Sequence, residues 1–238
     1  MKLDVLAIAA HPDDVEISCG GTVAKLVKQG KKVGILDLTR GELGSRGSAE
    51  LRDEEAARSS EILGLSAREN LALADGFFEY NRDNQIAIIR MVRKYQPEIA
   101  LINTPSDRHP DHGKASKLVS DSLFLSGLRK IETELDGNQQ EHWRPRSVYH
   151  YIQDHYHEPD FVVDISDTWE TKMEAIKAFK SQFYDPNSSE PETPISGKEF
   201  FDFLKSRARQ YARPIKTEFA EGFTTERAPG VNDLFDLL

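Results

Sequence analysis

The 238 residues include a single cysteine, Cys19, so no intramolecular disulfide is available and the fold must rest on a buried core. No apolar run comes near the roughly 20 residues that a membrane span needs. Asp4 interrupts the first apolar stretch and no cleavage-like segment follows, so no secretory leader is read and the expected location is the cytoplasm. Positive charge is scarce: 31 Lys and Arg against 40 Asp and Glu give a net charge of -9 and a pI near 5.3. That balance excludes a general affinity for nucleic acid or for anionic membranes. Internal repeats and low-complexity tracts are also missing. The pair Gly20-Gly21 belongs to no GxGxxG, so it is not a dinucleotide fingerprint and is read as close packing at the first helix.

What is present is ordinary for a soluble protein, with 38% hydrophobic and 30% charged residues, enough for one domain spanning 1–238. Short Val- and Ile-rich runs alternate with amphipathic segments. Strands are predicted at Asp4 to Ala9, Lys32 to Leu38, Asn70 to Ala74 and Glu98 to Asn103. Helices are predicted at Gly20 to Gln29, Glu50 to Leu63 and Asn84 to Tyr95, with a fourth beginning near His112. Gly30 and Gly64 stand where C-terminal glycines are expected. Later, Ser147 to Gln153 and Phe161 to Ile165 read as strands, and Asp167 to Lys180 and Gly197 to Tyr211 as helices. The stretch from Asp185 to Ser196, rich in Pro, Ser and acid, reads as a mobile loop. The alternation implies an α/β fold, Rossmann-like, with a mostly parallel sheet carrying helices on both faces and a looser C-terminal third.

In such a sheet, ligands bind beyond the carboxyl ends of the strands. Four successive strand ends carry polar residues: His11 to Asp14, Thr39 to Glu42, Asp75-Gly76, and Thr104 to His112. Two of them contain "HPD", in Ala10 to Asp14 (AHPDD) and Arg108 to His112 (RHPDH). As turns, each needs no ligand, since Pro fixes φ and Asp caps the next helix. Together on one sheet they offer His11, Asp14 and His112 as a two-His, one-carboxylate metal set, which leaves a coordination position for water. Adjacent Asp13 and Asp14 would otherwise repel each other.

"AHPDD…CGGT", "RHPDH" and "LTRGELGSRGSAELRDEEAARSSEILG" (Leu38 to Gly64) resemble the PIG-L/LmbE family of zinc-dependent N-acetylglucosaminide deacetylases. "FVVDIS" and "KAFKSQF" extend the resemblance over nearly the whole chain, and the branch it resembles most is that of the bacillithiol-biosynthesis deacetylases acting on N-acetylglucosaminyl-malate. The resemblance implies an LmbE-like fold and one Zn2+ per chain on His11, Asp14 and His112. It also implies Asp13 as general base and a protonated His109 stabilising the oxyanion. Fe2+ or another divalent ion is the alternative metal. With the resemblance Arg52 and Arg46 become substrate contacts, and a homo-oligomer, up to a hexamer, is expected; Glu42 is a separate substrate-contact candidate, placed to orient a ligand or bond a sugar hydroxyl. Without the resemblance, Arg52 reads as a helix-surface residue paired with Glu55.

Cys19 is read as a small core residue, and His142, His150, His155 and His157 as structural. Gln153 to Asp160 is a candidate substrate rim. Three functions stay open: a zinc amidohydrolase acting on a sugar conjugate; an iron oxygenase on the same three ligands; and a non-catalytic sugar- or nucleotide-binding protein. Asp13 speaks for hydrolysis, because oxygen activation needs no base there.

Overall fold

The computed structural model describes residues 1–186 and 188–237; Asn187, within the loop read as mobile, and Leu238, the end of the expected domain, lie outside them. Its elements are β1 (Val5–Ala9), α1 (Asp14–Lys28), β2 (Val33–Asp37), α2 (Ala49–Leu63), β3 (Ala67–Asn70), α3 (Arg82–Tyr95), β4 (Ile99–Asn103) and α4 (Pro110–Ser126). They continue with β5 (Glu134–Leu135), β6 (Asn138–Gln139), β7 (Ser147–Tyr151), β8 (Phe161–Asp164), α5 (Trp169–Lys177), α6 (Glu199–Ala212) and β9 (Ala220–Thr225).

β1 explains the architecture. Leu6, Ile8 and Ala10 enter one buried cluster with Ile88, Val92 and Leu118 of α3 and α4. Val5, Ala7 and Ala9 enter another with Val15, Cys19 and Val23 of α1 and Ala175 of α5. A strand covered on both faces has no reason to alternate with polar residues, hence its unbroken apolar run. The seven-stranded sheet has the order β3-β2-β1-β4-β7-β9-β8; its first five strands are parallel, and β9 is antiparallel to both neighbours. After β1 the chain winds outward through β2 and β3, then returns to β4 on the other side of β1. The crevice at the carboxyl ends of β1 and β4 is therefore the topological switch point.

The predicted elements recur with shifted ends. α1 begins at Asp14, not Gly20: Asp14 and Glu16 suit its first turn, and Gly20-Gly21 lies inside it, just past a kink at Cys19. Gly21 packs closely, since a Cβ there would stand 2.7 Å from Ile165. β3 covers Ala67–Asn70 and shares only Asn70 with the predicted segment; beyond it Ala72 adopts φ 50°, while the Leu71 and Leu73 N–H groups still donate to the Asp37 and Leu38 carbonyls. β9 and the β5–β6 hairpin carried no apolar run long enough to be predicted. A third buried cluster joins α5 and α6 through Trp169, Phe179, Phe183, Phe200 and Leu204. Among the described residues no helix is long and apolar enough to cross a membrane.

Candidate active site

The loops after β1, β2, β3 and β4 converge on a cavity of about 280 Å³. Its polar lining includes His11, Asp13 and Asp14, Asp75, and His109 and His112. The first loop is bent at Asp13, whose φ of 111° lies in the left-handed region. A non-glycine residue held there costs about 1–3 kcal/mol and persists only where its surroundings enforce it. Here Arg52 enforces it, donating from Nη1 to the Pro12 carbonyl at 2.9 Å and lying 3.4 Å from Asp13 Oδ2. The bend separates the two neighbouring carboxylates. Burial, opposed by Arg52 and reinforced by Asp14, pushes the Asp13 carboxyl up to about 7.

Asp14 faces the other way. Its carboxylate accepts the His11 backbone N–H at 3.0 Å, Asn103 Nδ2 at 3.2 Å and Gln153 Nε2 at 2.6 Å. It also lies 3.2 Å from His112 Nε2 and 3.6 Å from His11 Nδ1. Burial works against its charge, but the two imidazoles outweigh burial and hold it well below the usual carboxylate range.

His112 donates from Nδ1 to Asp107 Oδ2 at 2.6 Å, which leaves Nε2 facing Asp14. Asp107 is itself held by the backbone N–H groups of Asp154 and His155, at 3.1 and 2.7 Å. Burial lowers the His112 pKa, yet Asp14 and Asp107 carry it up to about 9. His11 Nε2 stands 3.1 Å from Asp75 and 3.4 Å from Asp111.

His109 caps α4, and its Nδ1 accepts the Asp111 N–H at 3.3 Å, so the neutral ring carries its proton on Nε2. Its ring centroid is 4.7 Å from that of His11 and 5.2 Å from that of His112. Burial, then the charges on those two rings, hold its pKa below the usual histidine value. The surroundings thus favour a neutral His109 where the sequence suggested a protonated one. A neutral ring still donates a hydrogen bond from Nε2.

These donors fit a borderline divalent ion. Nitrogen atoms of His11, His109 and His112 all come within 4.8 Å of one another, as do donor atoms of His11, Asp75 and Asp111. The Asp14 carboxylate lies against both His11 and His112, and imidazole with carboxylate suits zinc or iron.

The three residues expected to touch substrate have different places. Arg52 lines the cavity, paired with Asp13 and not with Glu55, which instead accepts from Ser181. Arg46 is buried outside the lining and donates to Ser188 Oγ at 2.8 Å. Glu42 accepts the Asp75 N–H at 2.9 Å and steadies the loop that carries Asp75. Of the candidate rim, Gln153 and Asp154 reach the cavity.

Sequence reasoning missed Asp107, Asp111, Asn103 and Gln153 as supports. Asp107 had a signal, standing five residues before His112 in the same loop; the others depend on folding to meet their partners.

Comparison with known proteins decides the family. The family model described as PIG-L, GlcNAc-PI de-N-acetylase, matches residues 6–123. A diacetylchitobiose deacetylase of Thermococcus kodakarensis is 34% identical over 230 residues, covering 92% of this chain and 81% of that protein. The chain belongs to the PIG-L family. It is a deacetylase, a hydrolase of amide bonds. The solved structure of a conserved protein from Thermus thermophilus superposes on this PIG-L chain with a TM-score of 0.87 at 34% identity, covering 98% of both chains. A probable N-acetyl-alpha-D-glucosaminyl L-malate deacetylase 2 of Bacillus subtilis is 26% identical over 199 residues, 76% of this chain and 84% of that one. Likeness therefore extends to more than one substrate branch and does not single out the bacillithiol branch.

Proposed function

We propose that this PIG-L chain hydrolyses the acetamide of an N-acetylglucosamine conjugate, with one zinc ion per chain held by His11, Asp14 and His112. The observation that carries the reading is the divergence of two adjacent carboxylates. Asp14 turns onto two imidazoles, whereas a strained backbone points Asp13 into the same cavity without a place among them. A bound divalent ion would polarise the acetamide carbonyl and acidify a water. Asp13 accepts the proton of the attacking water and then delivers it to the leaving nitrogen. His109 donates from Nε2 to the carbonyl oxygen as charge develops there. The products are acetate and a free glucosamine-type amine. Iron on the same ligands is the second reading, but oxygen activation would give Asp13 no proton to take.

The group attached to the sugar divides two substrate readings. N-acetylglucosaminyl-malate, the bacillithiol intermediate, carries two carboxylates and calls for free cations in the cavity. Among the described lining residues, the arginines Arg52 and Arg108 already lie against Asp13 and Asp154. An uncharged saccharide conjugate asks for no such cation, and we place it first. Acetate release from N-acetylglucosamine, N,N'-diacetylchitobiose and N-acetylglucosaminyl-malate, with and without a chelator, tests the reading. Release that survives full chelation contradicts the metal; release from none of the three contradicts the activity. We also propose that copies of the chain associate, supported by the exposed Phe77 and Phe235, which are 76% and 95% accessible.

A further inference from the structure

The same cavity also has an apolar part. It is formed by Ile17 and Leu43, by Pro194 and Ile195, and by Phe200 and Phe203 of α6. Phe200, Phe203 and Arg207 follow one another at helical spacing of three and four, so they share one face of α6. The Phe203 ring is held from behind: the Arg207 guanidinium lies 4.3 Å from its centroid, and the Phe200 ring 5.9 Å from it. Arg207 is fixed in turn by donating from Nη2 to the Asp154 carbonyl at 2.9 Å. Phe203 nonetheless remains 39% exposed in the cavity lining. An aromatic ring pinned on one side and open on the other is a platform for a flat apolar face. Beside it, Arg108 Nε donates to Asp154 Oδ2 at 2.5 Å, and this half-exposed pair offers both donors and acceptors.

A pyranose ring has that mixed character, with an apolar C–H face and a polar rim of hydroxyls. We infer that Phe203 is the platform for a second sugar ring, attached to the N-acetylated one, whose hydroxyls meet Arg108 and Asp154. The inference rests on the deacetylase reading above and adds what the enzyme selects at the far end of its substrate. It makes Phe203 a specificity-determining residue that leaves the acetamide chemistry alone.

The test compares Phe203→Ala and Phe203→Leu with the parent enzyme on N-acetylglucosamine, N,N'-diacetylchitobiose and N-acetylglucosaminyl-malate. Leu keeps the apolar packing against Phe200 while removing the ring face, so it guards against a variant that fails to fold. For the disaccharide, kcat/KM should fall by about tenfold in both variants, through KM, as expected for one lost stacking contact. The monosaccharide should be unaffected, and Phe203→Trp should restore the disaccharide. Equal losses on all three substrates, or a loss confined to the malate conjugate, would overturn the platform while leaving the deacetylase intact. Ligand-observed NMR of disaccharide binding separates the remaining failures. Binding lost in Phe203→Leu but without acetate release from the parent would sink the activity and keep the subsite; no binding and no release would sink both.

Discussion

Arg52 shows what a side chain's partners do to its assignment. The sequence offers it as a clamp for substrate carboxylates, yet its guanidinium is engaged with Pro12 and Asp13, the residues of the strained bend. Removing it releases the bend and the charge that counters Asp13. We therefore expect Arg52→Ala to lower kcat on neutral and dianionic substrates alike, by roughly ten- to a hundredfold, the size of a lost charge-assisted hydrogen bond of about 1.5–3 kcal/mol. A steady-state comparison on the disaccharide and the malate conjugate checks it; a loss restricted to the malate conjugate would return Arg52 to substrate binding. Asp107 acts through His112, orienting its ring and raising its basicity. Asp107→Asn should weaken metal affinity by about 10- to 100-fold, measured by competition with a zinc chelator. The donors proposed for the metal were legible in the sequence, because "HPD" twice after strand-like runs is a local pattern. Asn103 and Gln153, which steady Asp14, were not: they stand 89 and 139 residues from it, and their types are common in turns and rims.

At the scale of elements, the strands of the parallel half were legible because burial on both faces leaves an unbroken apolar run. β9 was not, since Ala220–Thr225 reads AEGFTT and carries a buried acidic residue at its second position. That residue, Glu221, has a structural task. α1 kinks at Cys19, and the backbone N–H groups of Gly21 and Thr22 beyond the kink donate to the Glu221 carboxylate at 2.9 and 2.7 Å. Lys172 of α5 completes the contact at 2.6 Å, so one buried carboxylate ties α1, α5 and β9 together. Glu221→Ala leaves the Lys172 ammonium buried without its partner, and chemical denaturation should show a loss of about 3–5 kcal/mol. A loss under about 1 kcal/mol would show that water reaches Lys172 and that the tie is loose.

Over the whole molecule, the acidic excess reaches the interior as well as the surface. Arg68 binds Asp37 bidentately at 2.7 and 3.1 Å and also Glu16 at 2.7 Å, one cation between two buried carboxylates. Burial, opposed by Arg68 and reinforced by Glu16, pushes Asp37 up to about 6. An unfolded chain holds an aspartate near 3.9, so between about pH 4 and 6 the folded state keeps a proton that the unfolded state has lost. This group's contribution is full below about pH 4 and declines as the pH rises to about 6. Two units at about 1.4 kcal/mol each give a decline of about 3 kcal/mol. Asp37→Asn does not titrate, so its stability relative to the parent should improve by that amount between about pH 4 and 7 in urea titrations. A constant difference would mean that Arg68 alone neutralises the carboxylate. The same net charge means that substrate capture relies on local contacts, not long-range attraction.

Asp13 and Asp14, adjacent in the chain, are proposed to serve as base and metal ligand respectively. Metal content and acetate release measured together on Asp13→Asn and Asp14→Ala test this assignment most directly. Asp13→Asn should keep its metal and lose about 10²–10⁴ in turnover, whereas Asp14→Ala should lose both metal and turnover. Metal lost from Asp13→Asn and retained by Asp14→Ala would contradict the account.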